Sequence, residues 1–146
     1  FETDDRVATV LGSMGLTEKI EQMAGYEIGA ELFATPDNTN LDIRGFRFRD
    51  GPRGVSLESG TATCFPVPVS RAATWNLDLE RQIGEAAGRE VRGLGHNFLL
   101  SPCINTLRHP GWGRGQETYG EDPFHLGEMG LALTQVRCRT RGNRRI

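Results

Sequence analysis

Residues 108–123 (RHPGWGRGQETYGEDP) hold the side chains of this sequence that are best suited to binding a polar ligand. Glycines at positions 111, 113 and 115 would let a ligand approach the backbone closely. Arg114 lies between two of these glycines, and its guanidinium presents a planar fork of hydrogen-bond donors. Trp112 and Tyr119 offer flat apolar faces that suit sugar rings. The segment therefore predicts a polar ligand pocket with an aromatic wall.

A structural role is the alternative interpretation of the same segment. Glu117 and Glu121 are close to Arg114 in the sequence, and an ion pair with either carboxylate would hold the loop in one shape. The spacing of the residues does not separate a ligand-binding loop from a loop that is fixed by such a pair.

Asp50 is the second candidate for ligand chemistry. It follows residues 43–49 (IRGFRFR), where apolar and charged residues alternate as in a short strand, and it precedes Gly51-Pro52, which indicates a turn. The carboxylate either caps this turn or accepts hydrogen bonds from the hydroxyl groups of a ligand. The sequence leaves both interpretations open.

The sequence lacks the motifs of nucleotide-binding, serine-hydrolase and metal sites. The glycines do not form a dinucleotide fingerprint, and neither a phosphate-binding GxxxxGK[ST] motif nor a G-x-S-x-G elbow occurs. The three histidines lack the spacing of metal ligands, so we expect no metal and no other cofactor. Three cysteines, at positions 64, 103 and 138, predict buried free thiols rather than a disulfide framework.

Hydrophobic periodicity predicts the elements that position these candidates. The clearest helix spans residues 77–94, with Asn76 as its N-cap and Gly95 as its stop. Residues 97–104 predict a buried parallel strand, and Asp122-Pro123 begins another helix that continues to Val136. A helix within residues 4–25, with Thr17 as N-cap, and strands at 43–49 and 69–75 complete the prediction.

Strands that alternate with amphipathic helices indicate an α/β fold with parallel strands. In a (β/α)₈ barrel of the TIM type, the loops that follow the strands carry the chemistry, and here those loops contain Asp50 and residues 105–121. A complete barrel of this type needs ~250 residues. We therefore expect about the first three β/α units of such a barrel in residues 1–136.

Composition and charge narrow the class of protein further. The chain has 146 residues, 37% of them hydrophobic and 25% charged, which is enough for one core. It contains no apolar run long enough to span a membrane. Five arginines and no acidic residue lie in segment 137–146, whereas the rest of the chain is acidic. This basic tail is either frameshifted and non-native or a genuine short extension that binds a partner.

Taken together, these stretches resemble family 3 glycoside hydrolases. The matching segments are LTEKIEQMAG (16–25), GFRFRDGPRGV (45–55), HLGEMGLAL (125–133) and the run from TCFPVPVSRAATWN (63–76) to GEDP (120–123). They occur in the order found in the family and cover residues ~16 to ~136. The most specific signal is RHPGWGR followed by GEDP at this distance from an upstream DGPRGV.

The resemblance implies an activity and a site. Members of the family hydrolyse terminal non-reducing β-linked sugars, often glucose, with retention, and their first domain is a (β/α)₈-type barrel. By match to the family motifs, Asp50 and Arg114 would bind the substrate. Arg108, Trp112 and Glu117 would support them. A second arginine is common in relatives shortly after the DGPxG turn, and Ser56 occupies that position here.

The resemblance also implies that the catalytic residues are absent from this sequence. In the family a nucleophilic aspartate lies in a stretch like SDW after a Lys-His pair, and the acid/base comes from a later domain. This sequence contains no SDW, and its one lysine is Lys19. We therefore expect the intact enzyme to be a β-glucosidase-type hydrolase and this fragment to be inactive alone.

Two hypotheses of other classes stand beside this one. The chain is a non-catalytic sugar-binding module, or it is an unrelated α/β protein whose arginine tail binds nucleic acid. The expected partner is a small-molecule β-glucoside or oligosaccharide, with no nucleic acid and no membrane. The sequence assigns neither a compartment nor an oligomeric state.

Overall fold

The computed structural model of the protein describes residues 2–28, 31–57 and 59–135. In chain order the elements are α1 (Glu2–Ser13), α2 (Leu16–Met23), β1 (Tyr26–Ile28), β2 (Glu31–Ala34), β3 (Phe48–Asp50), α3 (Pro68–Ala72), α4 (Leu77–Gly93), β4 (Phe98–Leu100), a 3₁₀ turn (Gly115–Glu117) and α5 (Pro123–Thr134). Val136, Cys138 and the basic tail lie outside the described residues. No helix in the described ranges is long and apolar enough to cross a lipid bilayer.

Strands β3 and β4 form the parallel pair that the sequence predicts, but β4 is shorter than the predicted 97–104 and is not buried, since Phe98 is 41% and Leu100 40% exposed. Their register places Phe48 beside Phe98, Arg49 beside Leu99 and Asp50 beside Leu100. Both strands end at the same edge of the sheet, so the loops that follow them begin side by side. Strand β3 starts later than the predicted 43–49, because the residues before it form only isolated bridges, from Ile43 to Asn38 and from Arg47 to Ala34.

The two faces of this sheet have different surroundings. Along a strand, successive side chains point to opposite faces. Leu99 faces α4, where it lines a cavity with Ile83 and Ala87. Phe48 and Phe98 lie on the other face, with their ring centroids 5.0 Å apart. Asp50 shares that second face by its register, away from the helices.

The two long helices begin at the predicted residues. The Asn76 side chain accepts a hydrogen bond from the Leu79 backbone N–H at 2.9 Å, which caps α4. At its other end Gly95 adopts the left-handed φ of 85° that a C-terminal stop requires. The Asp122 side chain caps α5 in the same way, by accepting from the backbone N–H of His125 at 2.7 Å. Both cap predictions are confirmed.

Two further predictions about the elements are wrong, and one pair of strands was not predicted. Residues 69–75 do not form a strand, because Pro68 begins the short helix α3 and a turn follows it. Thr17 is not an N-cap, since α2 starts after Gly15, whose backbone N–H donates to the Glu18 carboxylate at 2.9 Å. The hairpin of β1 and β2 was not predicted; it is antiparallel and contains an irregular register.

Helix α2 contributes no apolar side chain to the core. Ile20 is 58% exposed and Met23 is 87% exposed, and α2 has no buried residue. The core of the described residues instead lies between α3, α4 and α5. Its apolar cluster consists of Ala72, Tyr119, Leu126 and Met129.

A buried ion pair lies beside this apolar cluster. Arg71 is 3% exposed and Glu80 is fully buried. The guanidinium donates from Nε to Glu80 Oε2 and from Nη2 to Oε1, both at 3.0 Å. The Tyr119 hydroxyl donates to Glu80 Oε1 at 2.6 Å. Since a buried charge is tolerated only when it is paired and hydrogen-bonded, these three residues fix α3, α4 and the segment after the 3₁₀ turn together.

Helices α4 and α5 approach each other most closely at Gly84. A Cβ atom added there would lie 2.1 Å from the Leu133 carbonyl oxygen, so Gly84→Ala must push α5 away. We expect this variant to lower the free energy of unfolding by about 1–3 kcal/mol. Gly127→Ala is the matched control in α5, because its added Cβ meets nothing within 4 Å. It should raise stability by about 0.5–1 kcal/mol. Urea unfolding followed by circular dichroism measures both, and equal effects would contradict this helix packing.

Candidate functional site

Asp50 lies where β3 ends, with its side chain exposed. Its Oδ1 accepts a hydrogen bond from the Gly51 backbone N–H at 3.1 Å, and its carbonyl oxygen accepts from Ser56 N at 2.8 Å. The turn-capping interpretation of Asp50 therefore describes its local contacts. The carboxylate remains accessible at the edge of the sheet, so capping and ligand binding are compatible.

The loop after β4 folds back on itself and brings its two ends together. Cys103 and Thr118 form a parallel bridge, and Leu107 N donates to Gly120 O at 3.0 Å. The buried Thr118 donates from its hydroxyl to the Asn105 carbonyl oxygen. Because residue 103 comes shortly after β4, these contacts place the 3₁₀ turn near the edge where Asp50 ends β3.

Arg114 forms an ion pair with Glu117, one of the two partners that the sequence offered. Its Nε donates to Glu117 Oε2 at 2.9 Å, and its Nη2 donates to the same oxygen. The Glu117 side chain is 18% exposed and that of Arg114 is 62% exposed. Glu121 is exposed and has no described contact with Arg114. Glu117 thus holds the Nε and Nη2 edge of the guanidinium, while most of the Arg114 side chain is open to solvent.

The charges of this region influence each other. The hydrogen bond and charge of Arg114 hold the pKa of Glu117 below its ordinary value, and the carboxylate in turn raises the pKa of Arg114. Asp50 adds a smaller contribution that also raises the pKa of Arg114, which places this carboxylate in the same electrostatic neighbourhood. The arrangement combines an exposed acceptor with an exposed donor.

Cys103 also lies close to these charged groups, which the sequence did not predict. Its Sγ donates to Glu117 Oε2 at 3.8 Å. Burial raises the pKa of the thiol first, and the negative charges of Glu117 and Asp50 raise it further. We refer to Asp50, Cys103, Arg114 and Glu117 as the strand-edge cluster. The predicted burial of the thiols is wrong for Cys64, which is exposed, and Cys103 is only partly buried.

The aromatic wall is smaller than predicted. Tyr119 is 3% exposed and hydrogen-bonded to Glu80, so it presents no face to a ligand; its burial raises the pKa of the hydroxyl. Trp112 is partly exposed, and its backbone N–H donates to the His109 carbonyl oxygen at 3.1 Å. Arg108 is exposed, and none of its described contacts is with the strand-edge cluster. Trp112 is therefore the remaining aromatic candidate.

A cavity of about 190 Å³ lies between the sheet and the helices, where Gly51 and Pro52, the two residues after Asp50, line it together with Ile83, Ala87 and Leu99. It is mainly apolar and lies on the helix side of β4, whereas Asp50 points to the other face. The strand-edge cluster is the candidate site for ligand binding, because its exposed carboxylate and guanidinium can accept from and donate to hydroxyl groups. Within the described ranges, no three His, Cys, Asp or Glu side chains are grouped to hold a metal ion.

Sequence comparison places this chain among known proteins. Residues 4–136 match the family model of the Glycosyl hydrolase family 3 N terminal domain. Beta-glucosidase B of Emericella nidulans is 38% identical over 128 residues, which cover 85% of this chain and 15% of that protein. A Beta-xylosidase of Formosa agariphila is 31% identical over 138 residues, which cover 92% of this chain and 18% of that protein. The chain thus spans less than a fifth of the length of these relatives.

Solved structures match the fold. DesR, a beta-glucosidase from Streptomyces venezuelae solved in complex with D-glucose, superposes with a TM-score of 0.80 at 32% identity, covering 88% of this chain and 17% of that one. Beta-glucosidase 3B from Thermotoga neapolitana, solved in complex with glucose, gives a TM-score of 0.75 at 31% identity, covering 88% of this chain and 21% of that one. The predicted α/β fold class, a partial (β/α)₈ TIM-type barrel, is confirmed.

The Arg114–Glu117 pair makes a testable prediction about pH. Arg114→Gln should raise the pKa of Glu117 toward its ordinary value of 4.5. Since the pKa of Glu117 is lowered in the folded protein, the pair contributes stability above that ordinary value and loses it as pH falls through the lowered pKa. Carboxyl carbon NMR of Glu117 measures the titration. Glu18 is the internal control, because its pKa is lowered by Gly15 and Asn38 and should not respond to this variant. An unchanged Glu117 titration would contradict the ion pair.

Proposed function

The chain belongs to glycosyl hydrolase family 3, and on that premise we propose that the intact protein hydrolyses terminal non-reducing β-D-glucosyl or related β-glycosyl residues with retention. Within that protein, this chain is proposed to supply part of the subsite for the non-reducing sugar. Family membership supports the reaction class, and the strand-edge cluster supports the role of the chain.

The position and chemistry of Asp50 and Arg114 carry the proposal. Asp50 ends β3, and Arg114 lies in the loop that follows β4, so both belong to the carboxyl edge of two parallel strands, which is where barrel enzymes bind their substrates. A sugar presents hydroxyl groups that both donate and accept hydrogen bonds, so a carboxylate beside a guanidinium can bind a pair of them. We propose that Asp50 accepts from sugar hydroxyls and that Arg114 donates to them. Trp112 would pack against the ring, and Arg108 would have a supporting role.

Glu117 is proposed to position Arg114 and not to act as a catalytic acid. A retaining glycosidase needs a nucleophilic carboxylate and a second carboxyl group that carries a proton, about 5–5.5 Å apart. Arg114 lowers the pKa of Glu117 and thereby favours its ionised form, which cannot donate a proton. Asp50 is engaged with its own turn and offers only an acceptor. The chain is therefore proposed to bind sugar without catalysing its hydrolysis alone.

Two sugars, glucose and xylose, are candidates for the residue that the intact protein removes. The relatives include both a β-glucosidase and a β-xylosidase, which by name act on sugars that differ by one hydroxymethyl group. The two structural matches described above contain glucose, which favours a glucosyl substrate. A non-catalytic sugar-binding module is the alternative function for the chain when it is isolated.

Sugar binding by the isolated chain tests the proposed subsite. Asp50→Asn keeps the shape of the side chain and removes its charge, and Arg114→Gln removes the guanidinium. Because a hydrogen bond to a charged group contributes about 1.5–3 kcal/mol, each variant should weaken glucose binding by about tenfold or more. Ligand-detected NMR with millimolar glucose, repeated with xylose, measures the affinity. Asp78→Asn is the matched control, since this aspartate lies on the exposed side of α4 and pairs with Arg81. Wild-type chain that binds neither sugar would refute the subsite.

Turnover tests the proposed division of roles. The purified chain should release no detectable product from an aryl β-glucoside, because the covalent route needs a nucleophile and an acid that we do not assign to it. A preparation of Arg114→Gln, expressed and purified in parallel, identifies any turnover that comes from enzymes of the host. Turnover that this variant abolishes would show that the chain is catalytic.

A further inference from the structure

We propose that Arg71 is a positioning residue for the sugar subsite, because it joins the turn that carries Asp50 to the loop that carries Arg114. The inference rests on the proposed function of those two residues. Arg71 itself is buried and does not reach the strand-edge cluster, so it would act through the backbone segments that it holds.

The guanidinium of Arg71 uses all five of its N–H groups inside the protein. Nε and one N–H of Nη2 donate to the Glu80 carboxylate, both at 3.0 Å. Nη1 donates to the carbonyl oxygens of Pro52 and Pro66, also at 3.0 Å. The second N–H of Nη2 points to the Tyr119 hydroxyl at 3.5 Å. No donor is left for a ligand, which excludes a direct binding role.

The first connection leads to Asp50. Pro52 belongs to the turn in which Gly51 N donates to Asp50 Oδ1 and Ser56 N donates to the Asp50 carbonyl oxygen. Arg71 therefore fixes this turn through the Pro52 carbonyl oxygen. The backbone of this turn is closely packed at Gly51, because a Cβ added there would lie 2.3 Å from the Gly54 carbonyl oxygen.

The second connection leads to Arg114. Tyr119 follows the 3₁₀ turn that contains Glu117, and its hydroxyl donates to Glu80 Oε1 at 2.6 Å. Its ring lies against the Arg71 guanidinium, whose carbon is 5.9 Å from the ring centroid. Thr118, between these residues, is buried and bridged to Cys103. The ion pair of Glu117 with Arg114 is thus attached to the same buried cluster as the turn of Asp50.

This connection matters because two hydrogen-bonding groups must meet one sugar at the same time. Hydrogen bonds weaken steeply as distance and angle depart from their optimum, and a displacement near 1 Å is enough to impair a binding or catalytic geometry. A buried charged cluster has few alternative arrangements, since each unpaired N–H or oxygen would be left desolvated. Arg71 would therefore hold Asp50 and Arg114 in one relative position.

The test uses Tyr119→Phe in the full chain, because this change removes one hydroxyl and keeps the ring in the core. We expect the pKa of Glu117 to move toward its ordinary value and the affinity for glucose to fall by a factor on the order of three or more. Carboxyl carbon NMR gives the first result without any sugar, and ligand-detected NMR gives the second. Arg71→Lys is the second variant; it keeps the charge, has three donors in place of five, and should act in the same direction.

Val91→Ala is the matched control for loss of stability. Val91 is a buried residue of α4 that lies about three helical turns after Glu80. The control should lower the urea midpoint while the Glu117 titration and the glucose affinity stay as in the wild type. If Tyr119→Phe and Arg71→Lys behave like Val91→Ala, the positioning role is overturned. If the wild-type chain binds no glucose, the proposed subsite fails, and the Glu117 titration alone then decides the positioning role.

Discussion

The ion pair of Arg71 and Glu80 is buried where water cannot solvate either charge. Removing one member of such a pair leaves an uncompensated charge and typically costs about 3–5 kcal/mol, so the interior must keep both in contact. Three parts of the chain contribute to this contact: α3, the first turn of α4 and, 39 residues after Glu80, the segment that contains Tyr119. Helix α5 packs on α4 beside this pair, and Tyr119, in the loop after β4, is hydrogen-bonded to Glu80.

The sequence predicted the elements whose signals are local. Helices α4 and α5 carry their caps and their apolar positions within their own residues, and β4 is a short apolar run bounded by polar residues. The turn of Asp50 is likewise marked by the glycine and proline that follow it. These signals, together with the motifs of the family, were sufficient for the fold class and for the edge of the sheet at which the candidate residues meet.

The predictions that failed concern residues whose role depends on distant partners. Residues 69–75 contain β-branched and aromatic side chains that suit a strand, but Pro68 starts a helix and the buried pairing of Arg71 stabilises it. Tyr119 was interpreted as part of a ligand wall. It is a core residue, because its hydroxyl hydrogen-bonds to Glu80 and lies next to Arg71 at the α3–α4 junction.

In the candidate site, the structural contacts leave the groups of the proposed binding role exposed. The ion pair that could have argued against ligand binding holds Arg114 from one side and leaves most of the guanidinium exposed. The capping contact of Asp50 uses one of its two oxygens. The role of Cys103 was missed because a lone thiol has no sequence motif. Its position would have indicated it, because Cys103 comes just after β4 and β4 pairs in parallel with the strand that ends at Asp50.

The pairing of β3 with β4 also limits where this protein can gain or lose residues. Side chains alternate between the two faces of the sheet, so one inserted or deleted residue within Phe48–Asp50 or Phe98–Leu100 would turn every later side chain of that strand to the opposite face. Leu99 would leave the helices and Asp50 would be buried against them. In the strands, the number of residues is constrained more tightly than their identity.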